Sequence, residues 1–118
     1  MESEDTLLNI LCECYKEDNL IYLVKLMVKK GADVKARARN FGTTPLHSLC
    51  RSYQNDNLID IVQLLIKNGA EVNTKETYGL TPLHCLCWNY KNNNLIDIVQ
   101  LLIKNGAEVN TKETYGMT

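Results

Sequence analysis

A long unchanged repeat lies in the second half of the chain. The 23 residues from Asn57 to Gly79, NLIDIVQLLIKNGAEVNTKETYG, recur from Asn94 to Gly116, which sets a period of 37 residues. The shorter stretches TPLHSLC, starting at Thr44, and TPLHCLC, starting at Thr81, lie the same distance apart. A fixed period of about 20 to 50 residues is typical of solenoid proteins. The chain is therefore predicted to be an array of equivalent units, each packed on its neighbours.

A diverged copy precedes the two matching ones. The segment NLIYLVKLMVKKGADVK, starting at Asn19, aligns with the segment starting at Asn57 at an offset of 38 residues. TLLNILC, starting at Thr6, aligns with TPLHSLC, and the extra residue falls in KARARNF, residues 35–41. We therefore predict one domain, residues 1–118, with repeats at about 6–42, 43–79 and 80–116. Thr118 matches Thr44 and Thr81, the threonines of the TPLH motif, so we expect a piece of a longer array or a truncated reading frame.

Each repeat is predicted to contain two short helices. The first carries apolar residues at positions i, i+3, i+4 and i+7, which form one helix face. The second, from about Leu58 to Lys67 with equivalents starting at Leu20 and Leu95, is apolar on most sides and should be buried from several directions. The face of the first helix consists of Leu8, Leu11, Cys12 and Tyr15 in repeat one, Leu46, Leu49, Cys50 and Tyr53 in repeat two, and Leu83, Leu86, Cys87 and Tyr90 in repeat three.

Residues suited to helix ends flank these segments. A threonine before a first helix can satisfy a first-turn N–H, and the proline after it lacks the N–H that would be unpaired there. A glycine after a second helix supplies the left-handed conformation that ends it. One helix pair cannot cover its own apolar faces, whereas stacked pairs can, so we predict an all-α solenoid. The residues with these structural roles are Thr44, Pro45, Thr81 and Pro82 at the starts, and Gly31, Gly69 and Gly106 at the ends.

Two longer motifs resemble those of the ankyrin repeat. G-x-T-P-L-H is present at Gly42–His47 and Gly79–His84, and V-x-x-L-L-x-x-G-A-[DE]-V-N at Val62–Asn73 and Val99–Asn110. The resemblance implies helix-turn-helix pairs joined by β-hairpin fingers, with binding surfaces on the finger tips and the concave face of the first helices. It also implies that His47 and His84, each with its threonine, tie the start of a helix to a hairpin by hydrogen bonds.

The chain departs from the family pattern in three ways. The usual repeat has about 33 residues, and the extra ones here fall between the helices, in SYQND and NYKNN, where they lengthen the first helix or its loop. Leu49 and Cys50 replace the small pair that commonly follows the histidine, so this layer is bulkier. Repeat one has Leu7 and Asn9 in place of proline and histidine, which fits an atypical terminal repeat.

The histidine and cysteines of TPLHCLC raise the question of a metal site or a nucleophile. Cys85 and Cys87 lie two residues apart on one helix, so they diverge, whereas a zinc site needs four converging ligands. A catalytic cysteine needs a histidine within hydrogen-bond reach, and no acid is placed to orient one. We therefore predict no metal, no cofactor and no enzymatic activity. Cys12, Cys50 and Cys87 are interpreted as small side chains of the buried seam, whereas Cys14 and Cys85 lie off it and should be partly exposed.

Composition argues against several other classes of protein. The net charge is −1, so the chain lacks the broad basic stripe expected for nucleic-acid binding. No apolar run approaches the ~20 residues of a membrane span, and the acidic start, MESEDT, does not resemble a secretion signal. Five cysteines is an odd number, which argues against a disulfide framework and predicts a reducing, cytoplasmic location.

The residues best suited to a protein partner lie on the expected fingers and first helices. Aromatic residues at the tips, residues 35–41, 74–78 and 111–115, suit an interface, and packing on the next repeat is an equally good interpretation. Trp88 lies off the apolar stripe and should border the concave face, with burial beneath the long loop as the alternative. The basic first finger suits an acidic protein surface. The predicted partner-binding residues are Arg37, Arg39, Phe41, Ser48, Arg51, Lys75, Tyr78, Cys85, Trp88, Asn89, Lys112 and Tyr115.

These expectations favour a non-enzymatic protein–protein interaction module that presents a rigid surface to a protein partner. The alternative is a structural spacer or scaffold segment of a longer array, which the near-identical repeats favour, since duplication extends an array without tailoring its units. We also expect weak self-association, because Leu101, Leu102, Ile103 and their neighbours in repeat three would leave an apolar outer face.

Overall fold

Six α-helices make up the part of the chain that the computed structural model describes, residues 5–113. They pair along the chain, and the first helices of the pairs pack side by side in one layer while the second helices pack in another. No strand is present within these residues. The predicted all-α solenoid of stacked helix pairs is confirmed. The helices are α1 (Leu7–Cys14), α2 (Leu20–Lys29), α3 (Pro45–Ser52), α4 (Leu58–Lys67), α5 (Pro82–Asn89) and α6 (Leu95–Lys104).

The first helix of every pair begins with the same reciprocal cap. The side chain of Thr44 accepts a hydrogen bond from the backbone N–H of His47, and the histidine ring accepts one from the backbone N–H of Thr44. Thr81 and His84 form the same cap at the start of α5. Two N–H groups that the helix itself cannot satisfy are thereby paired at each start.

The second helices end at a glycine in the left-handed region. Gly69, with φ of 105°, lets its own N–H bond the carbonyl of Ile66 and the following N–H of Ala70 bond the carbonyl of Leu65, at 3.0 and 2.9 Å. This pair of bonds satisfies the last carbonyls of α4 and turns the chain towards the next repeat. The Gly-Ala pairs that follow α2 and α6 form the same two bonds.

The core runs through the centre of the array. In repeat two both helices are covered on both sides, so eight hydrophobic residues of this repeat have no exposed surface, whereas in α6 only Ile98 and Leu102 are fully buried. The expectation that Leu102 belongs to an exposed outer face is therefore wrong, since it packs inwards. The fully buried residues of repeat two are Leu46, Leu49, Cys50, Tyr53, Leu58, Ile61, Val62 and Leu65.

The cysteines only partly follow the predicted seam. Cys12 and Cys50 are buried, because the following repeat covers them, but Cys87 is exposed at the equivalent position of α5. Cys85 was expected to be partly exposed and is instead buried, because it faces back towards α3, where Cys50 is near it. The predictions for Cys85 and Cys87 are wrong because burial depends on which neighbouring repeat covers each side of the helix.

The extra residues of the long period form a loop rather than a longer helix. α3 ends at Ser52, and Tyr53, placed at the end of the predicted helix face, follows as its C-terminal cap with fully buried side chain. Its hydroxyl donates towards the backbone carbonyl of Glu17, at 3.1 Å, in the loop of the preceding repeat. Tyr90 does the same towards the carbonyl of Asn55, also at 3.1 Å.

Asparagines continue this contact between successive loops, which we call the loop ladder. The side-chain amide of Asn57 donates to the carbonyl of Asp18, and that of Asn94 donates to the carbonyl of Asp56, both at 2.9 Å. The ladder therefore gives backbone carbonyls of each loop a side-chain donor from the next repeat. The donors from repeat two to the loop of repeat one are Tyr53, Asn55 and Asn57. The donors from repeat three to the loop of repeat two are Tyr90, Asn92 and Asn94.

None of the helices within residues 5–113 is both long enough and apolar enough to cross a membrane.

We predict that Asn57→Ala lowers the free energy of unfolding by about 1–2 kcal/mol, because it removes the bond to Asp18 and an acceptor for the Tyr53 hydroxyl. The matched control is Asn19→Ala. Asn19 accepts from Tyr15 at 2.8 Å in the same way, but within residues 5–113 its side chain bonds no other repeat. Its loss should therefore be below about 0.5 kcal/mol. Urea denaturation followed by far-ultraviolet circular dichroism compares the two, and equal losses would show that the ladder contributes nothing.

Candidate protein-binding surface

The fingers between repeats are tight loops. Finger 1, residues 35–43, is closed by a hydrogen bond from the N–H of Ala38 to the carbonyl of Thr43, at 2.7 Å. Finger 2, residues 73–80, is closed from the N–H of Glu76 to the carbonyl of Leu80, at 3.0 Å. Each finger therefore turns back on itself as a hairpin does, but neither finger contains a β-strand.

A side chain at the third position of α1 and of α3 holds the base of a finger. His47 Nδ1 accepts from the N–H of Thr44, so the ring proton lies on Nε2, which donates to the carbonyl of Leu80 at 2.8 Å. Asn9 replaces the histidine in repeat one and makes the same two contacts. Its Oδ1 accepts from the N–H of Thr6, and its Nδ2 donates to the carbonyl of Ala36 at 2.9 Å. The departure from the family motif at Asn9 therefore preserves the connection from helix to finger.

A buried carboxylate shapes finger 2 from inside. Glu76 is buried, and its Oε1 accepts from the N–H groups of Tyr78 and Leu80, at 2.6 and 3.0 Å. Sequence reasoning missed this residue. Its counterpart Glu113 is also buried, but all 23 residues of this segment recur, so the repeat alone does not distinguish the glutamate.

Fingers 1 and 2 are joined directly. Arg37 Nη1 donates to the carbonyl of Lys75 at 2.9 Å and to that of Gly42 at 3.2 Å, and the N–H of Thr77 donates to the carbonyl of Phe41 at 2.8 Å. Arg37 was expected to contact a partner, but its guanidinium bridges the two fingers. We therefore assign to Arg37 the role of fixing their spacing.

Aromatic rings lie at the two described finger tips. Phe41 is 50% exposed, and its ring centroid lies 5.5 Å from that of Tyr78, which is also exposed. Phe41 therefore packs on the ring of the next finger and also keeps half of its surface exposed to solvent. Phe41 has a φ of 65°, an uncommon conformation for a bulky residue. Tyr115, the third predicted tip residue, lies outside the described residues.

Glu13 in α1, Arg51 in α3 and Trp88 in α5 occupy equivalent positions of the first helices, and all three are at least partly exposed. We call these three residues the helix row. Arg51 Nη2 bonds Glu13 Oε1 at 2.5 Å, and both side chains remain partly exposed. Trp88 is 53% exposed, so about half of its surface is open to solvent and the rest is covered.

A groove of about 260 Å³ lies between finger 1 and helices α1 and α3. Its wall on the finger side contains Phe41, and its wall on the helix side contains Glu13 and Arg51, so the finger tip and the helix row face the same groove. The remaining lining residues are Asp5, Asn9, Ile10, Cys14, Ala38, Asn40, Thr43 and Ser48.

Several predicted contact residues are placed differently. Ser48 and Cys85 are each only 2% exposed, because the preceding first helix packs on the side of the helix that they share, so the prediction that they contact a partner is corrected. Asn89 is half-buried and its carbonyl accepts from Gln54. The other basic residues of the prediction, Arg39 and Lys75 on fingers 1 and 2 and Lys112 on finger 3, are exposed.

A family model described as ankyrin repeats (3 copies) matches residues 5–113. The chain belongs to the ankyrin repeat family. No curated protein matches it. The match spans all six helices of the ankyrin array and both described fingers, so the resemblance read from the TPLH and GAEVN motifs is confirmed.

Three buried cysteines of the ankyrin core are held as neutral thiols. Burial raises the pKa of Cys12 to about 12 and that of Cys85 to about 11, so both remain thiols at neutral pH. Burial also raises the pKa of Cys50 well above its usual value. A nucleophilic cysteine needs the opposite shift. Within residues 5–113, no three histidine, cysteine or acidic side chains converge as ligands for a metal.

Burial lowers the pKa of His47 below its usual value of 6.5, against the opposing effect of its bond to Leu80. The folded state therefore favours the neutral ring. Its contribution to stability is complete above pH 6.5 and is lost as the pH falls from 6.5 through the lower folded pKa, because the unfolded chain then binds the proton more readily.

We predict that His47→Asn weakens this pH dependence, since asparagine does not titrate but can make the contacts that Asn9 makes. At pH 7.5 we expect a loss in unfolding free energy of about 1 kcal/mol for His47→Asn and about 2–3 kcal/mol for His47→Ala, which leaves the buried N–H of Thr44 without its acceptor and removes one of the two donors to the carbonyl of Leu80. Urea denaturation at pH 7.5 and 5.5 measures both effects. Equal losses for the two variants, or an unchanged pH dependence in His47→Asn, would contradict this role.

Proposed function

We propose that the chain is a non-enzymatic protein-binding module whose partner spans the tips of fingers 1 and 2 and the helix row. The observation that carries this proposal is the exposure of Phe41 and Trp88, at 50% and 53%, on a hydrogen-bonded scaffold. Aromatic side chains are strongly enriched among the residues that dominate binding energy. Phe41 borders the groove, and Trp88 continues the helix row from Arg51, which also borders it.

The scaffold is suited to binding because its backbone is already fixed. Finger 1 is tied to α1 through Asn9 and to finger 2 through Arg37, and finger 2 is tied to α3 through His47. A partner therefore meets loops whose ordering cost has been met during folding, and a smaller entropy loss on association favours affinity.

The charges beside the aromatic residues define the kind of partner surface that fits. Lys35 and Arg39 are exposed on finger 1, and Lys75 is exposed on finger 2. The exposed pair of Lys35 with Glu71, at 3.8 Å, neutralises little of this charge. We infer that the partner presents an apolar patch for Phe41 and Trp88 with acidic residues beside the fingers. Such charges mainly raise the association rate and select the partner.

A spacer role in a longer array is the second candidate. It is favoured by the unchanged 23 residues of repeats two and three, because identical units provide no tailored surface. Part of the surface proposed for binding, however, differs in every repeat. The helix row changes from Glu13 to Arg51 to Trp88, and finger 1 differs from finger 2 in sequence and length. This distribution favours a binding role over a spacer role.

All five cysteines are free thiols, which supports our proposal of a reducing, intracellular location. Self-association through the end of the array would use a different surface and is independent of the proposed partner.

We predict that Trp88→Ala and Phe41→Ala each weaken partner binding by roughly 30-fold, equivalent to about 2 kcal/mol. Crosslinking of purified protein in cell extract, followed by mass spectrometry, identifies candidate partners, and titration calorimetry then measures the affinity of each variant.

The matched control for this experiment is Tyr22→Ala, which removes an equally exposed aromatic ring from α2. It should bind like the wild-type chain. If all four proteins crosslink the same set to the same extent, the proposed surface is not a binding site and the spacer role is favoured.

A further inference from the structure

Identical residues have different exposure in repeats two and three. Val72 is 7% exposed, whereas Val109, its counterpart in the unchanged 23-residue segment, is 64% exposed. Ile59 and Ile66 are half-buried, and their counterparts Ile96 and Ile103 are exposed. Repeat three covers these residues in repeat two, whereas among residues 5–113 nothing covers them in repeat three. We call this outer surface of repeat three the trailing face, made of Leu95, Ile96, Val99, Ile103 and Val109.

The structure already contains a surface that fits the trailing face. The same residues in repeat two pack against repeat three, whose α5 and α6 lie on α3 and α4. The trailing face should therefore fit a helix pair that has apolar residues on the side facing the preceding repeat. Any ankyrin repeat with such a side could occupy it.

Repeat one exposes the matching side of such a helix pair. Leu7 is 67% exposed and Ile10 is also exposed, whereas the residues at these positions in repeat two, Pro45 and Ser48, are buried against repeat one. Four more apolar residues at positions that are fully buried in repeat two are only half-buried in repeat one. We call this surface the leading face, which consists of Leu7, Ile10, Leu11, Tyr15, Leu23 and Met27.

The loop of repeat one retains two of the three donors of the loop ladder, and Glu17 takes the place of the third, Asn55. The Tyr15 hydroxyl donates to Asn19 Oδ1 at 2.8 Å. The equivalent pair in repeat two, Tyr53 and Asn57, is bonded at the same distance and also contacts the preceding loop. In repeat three, Asn93 lies at the position of Asp56, whose carbonyl accepts from Asn94. An array placed ahead of repeat one in the same register would therefore offer Asn19 the carbonyl of Asn93.

We propose that two copies of this chain join end to end, with the trailing face of one on the leading face of the next, in the register that repeats two and three use within the chain. The two faces are different surfaces, so the contact is heterologous and leaves one free face at each end of the complex. Association therefore extends beyond the dimer as the concentration rises.

The contact between copies is weaker than the one inside the chain. Chain linkage gives the internal contact an effective concentration of the order of millimolar, which separate molecules lack. The ion pair between Glu13 and Arg51 also has no counterpart at the new junction, because Trp88 takes the place of Arg51. Association is therefore expected at high protein concentration, approaching the roughly millimolar effective concentration that linkage supplies.

Analytical ultracentrifugation of the 118-residue chain tests the proposal with one variant for each face. Val109→Asp places a charge on the trailing face, and Leu7→Asp places one on the leading face, where an acid in the first turn of α1 is compatible with the helix. Tyr22→Asp is the matched control, because Tyr22 is 68% exposed and the residues at its position in repeats two and three, Asp60 and Asp97, are already aspartates. Circular dichroism verifies the fold of each variant.

The wild-type chain and Tyr22→Asp should show average masses that rise with concentration, and both face variants should remain monomeric. An equimolar mixture of Val109→Asp and Leu7→Asp should form dimers and nothing larger, because each variant retains the face that the other has lost. A wild-type chain that stays monomeric at about 1 mM would overturn the proposal. So would a folded Leu7→Asp variant that associates like the wild type, which would indicate that trailing faces pair with each other, or a mixture that remains monomeric.

Discussion

The structure depends on the fact that each helix pair is apolar on two opposite sides. Leu58 and Val62 on one side of α4 and Ile61 and Leu65 on the other are all fully buried, and no single neighbour could cover both sides. Stability therefore comes from the interfaces between repeats as much as from the repeats themselves. The same constraint explains why identical segments differ in exposure between repeats two and three.

The long period adds a polar contact to this apolar stacking. Four extra residues would ordinarily make a solvated loop whose carbonyls face water. Here Tyr53 and Asn57 carry hydrogen bonds to the preceding loop, and their equivalents repeat the contact. Within residues 5–113, no buried side-chain nitrogen or oxygen lacks a partner. Successive repeats are thus joined both by their helices and by their loops. The fingers are fixed to the first helices, as a pre-formed binding surface requires.

Sequence periodicity predicted most of the fold, because the spacing of apolar residues directly determines which helix face is buried. The second helix, its glycine stop and the threonine caps were found where the pattern placed them. Burial of Cys85 and exposure of Cys87 were not predicted, because one helix has a side that faces the preceding repeat and a side that faces the following one. Arg37 and Glu76 were misjudged or missed because their partners are backbone groups, which leave no trace in the sequence.

The central claim is that one repeat cannot fold without its neighbours, and a peptide of residues 43–79 tests it directly. This segment contains α3, α4 and both helix caps, but none of the surfaces that cover them. Far-ultraviolet circular dichroism at 5 °C should show mostly coil, since isolated helices shorter than about 12–15 residues are marginal in water. A helical spectrum with a cooperative thermal transition, independent of peptide concentration, would contradict the account.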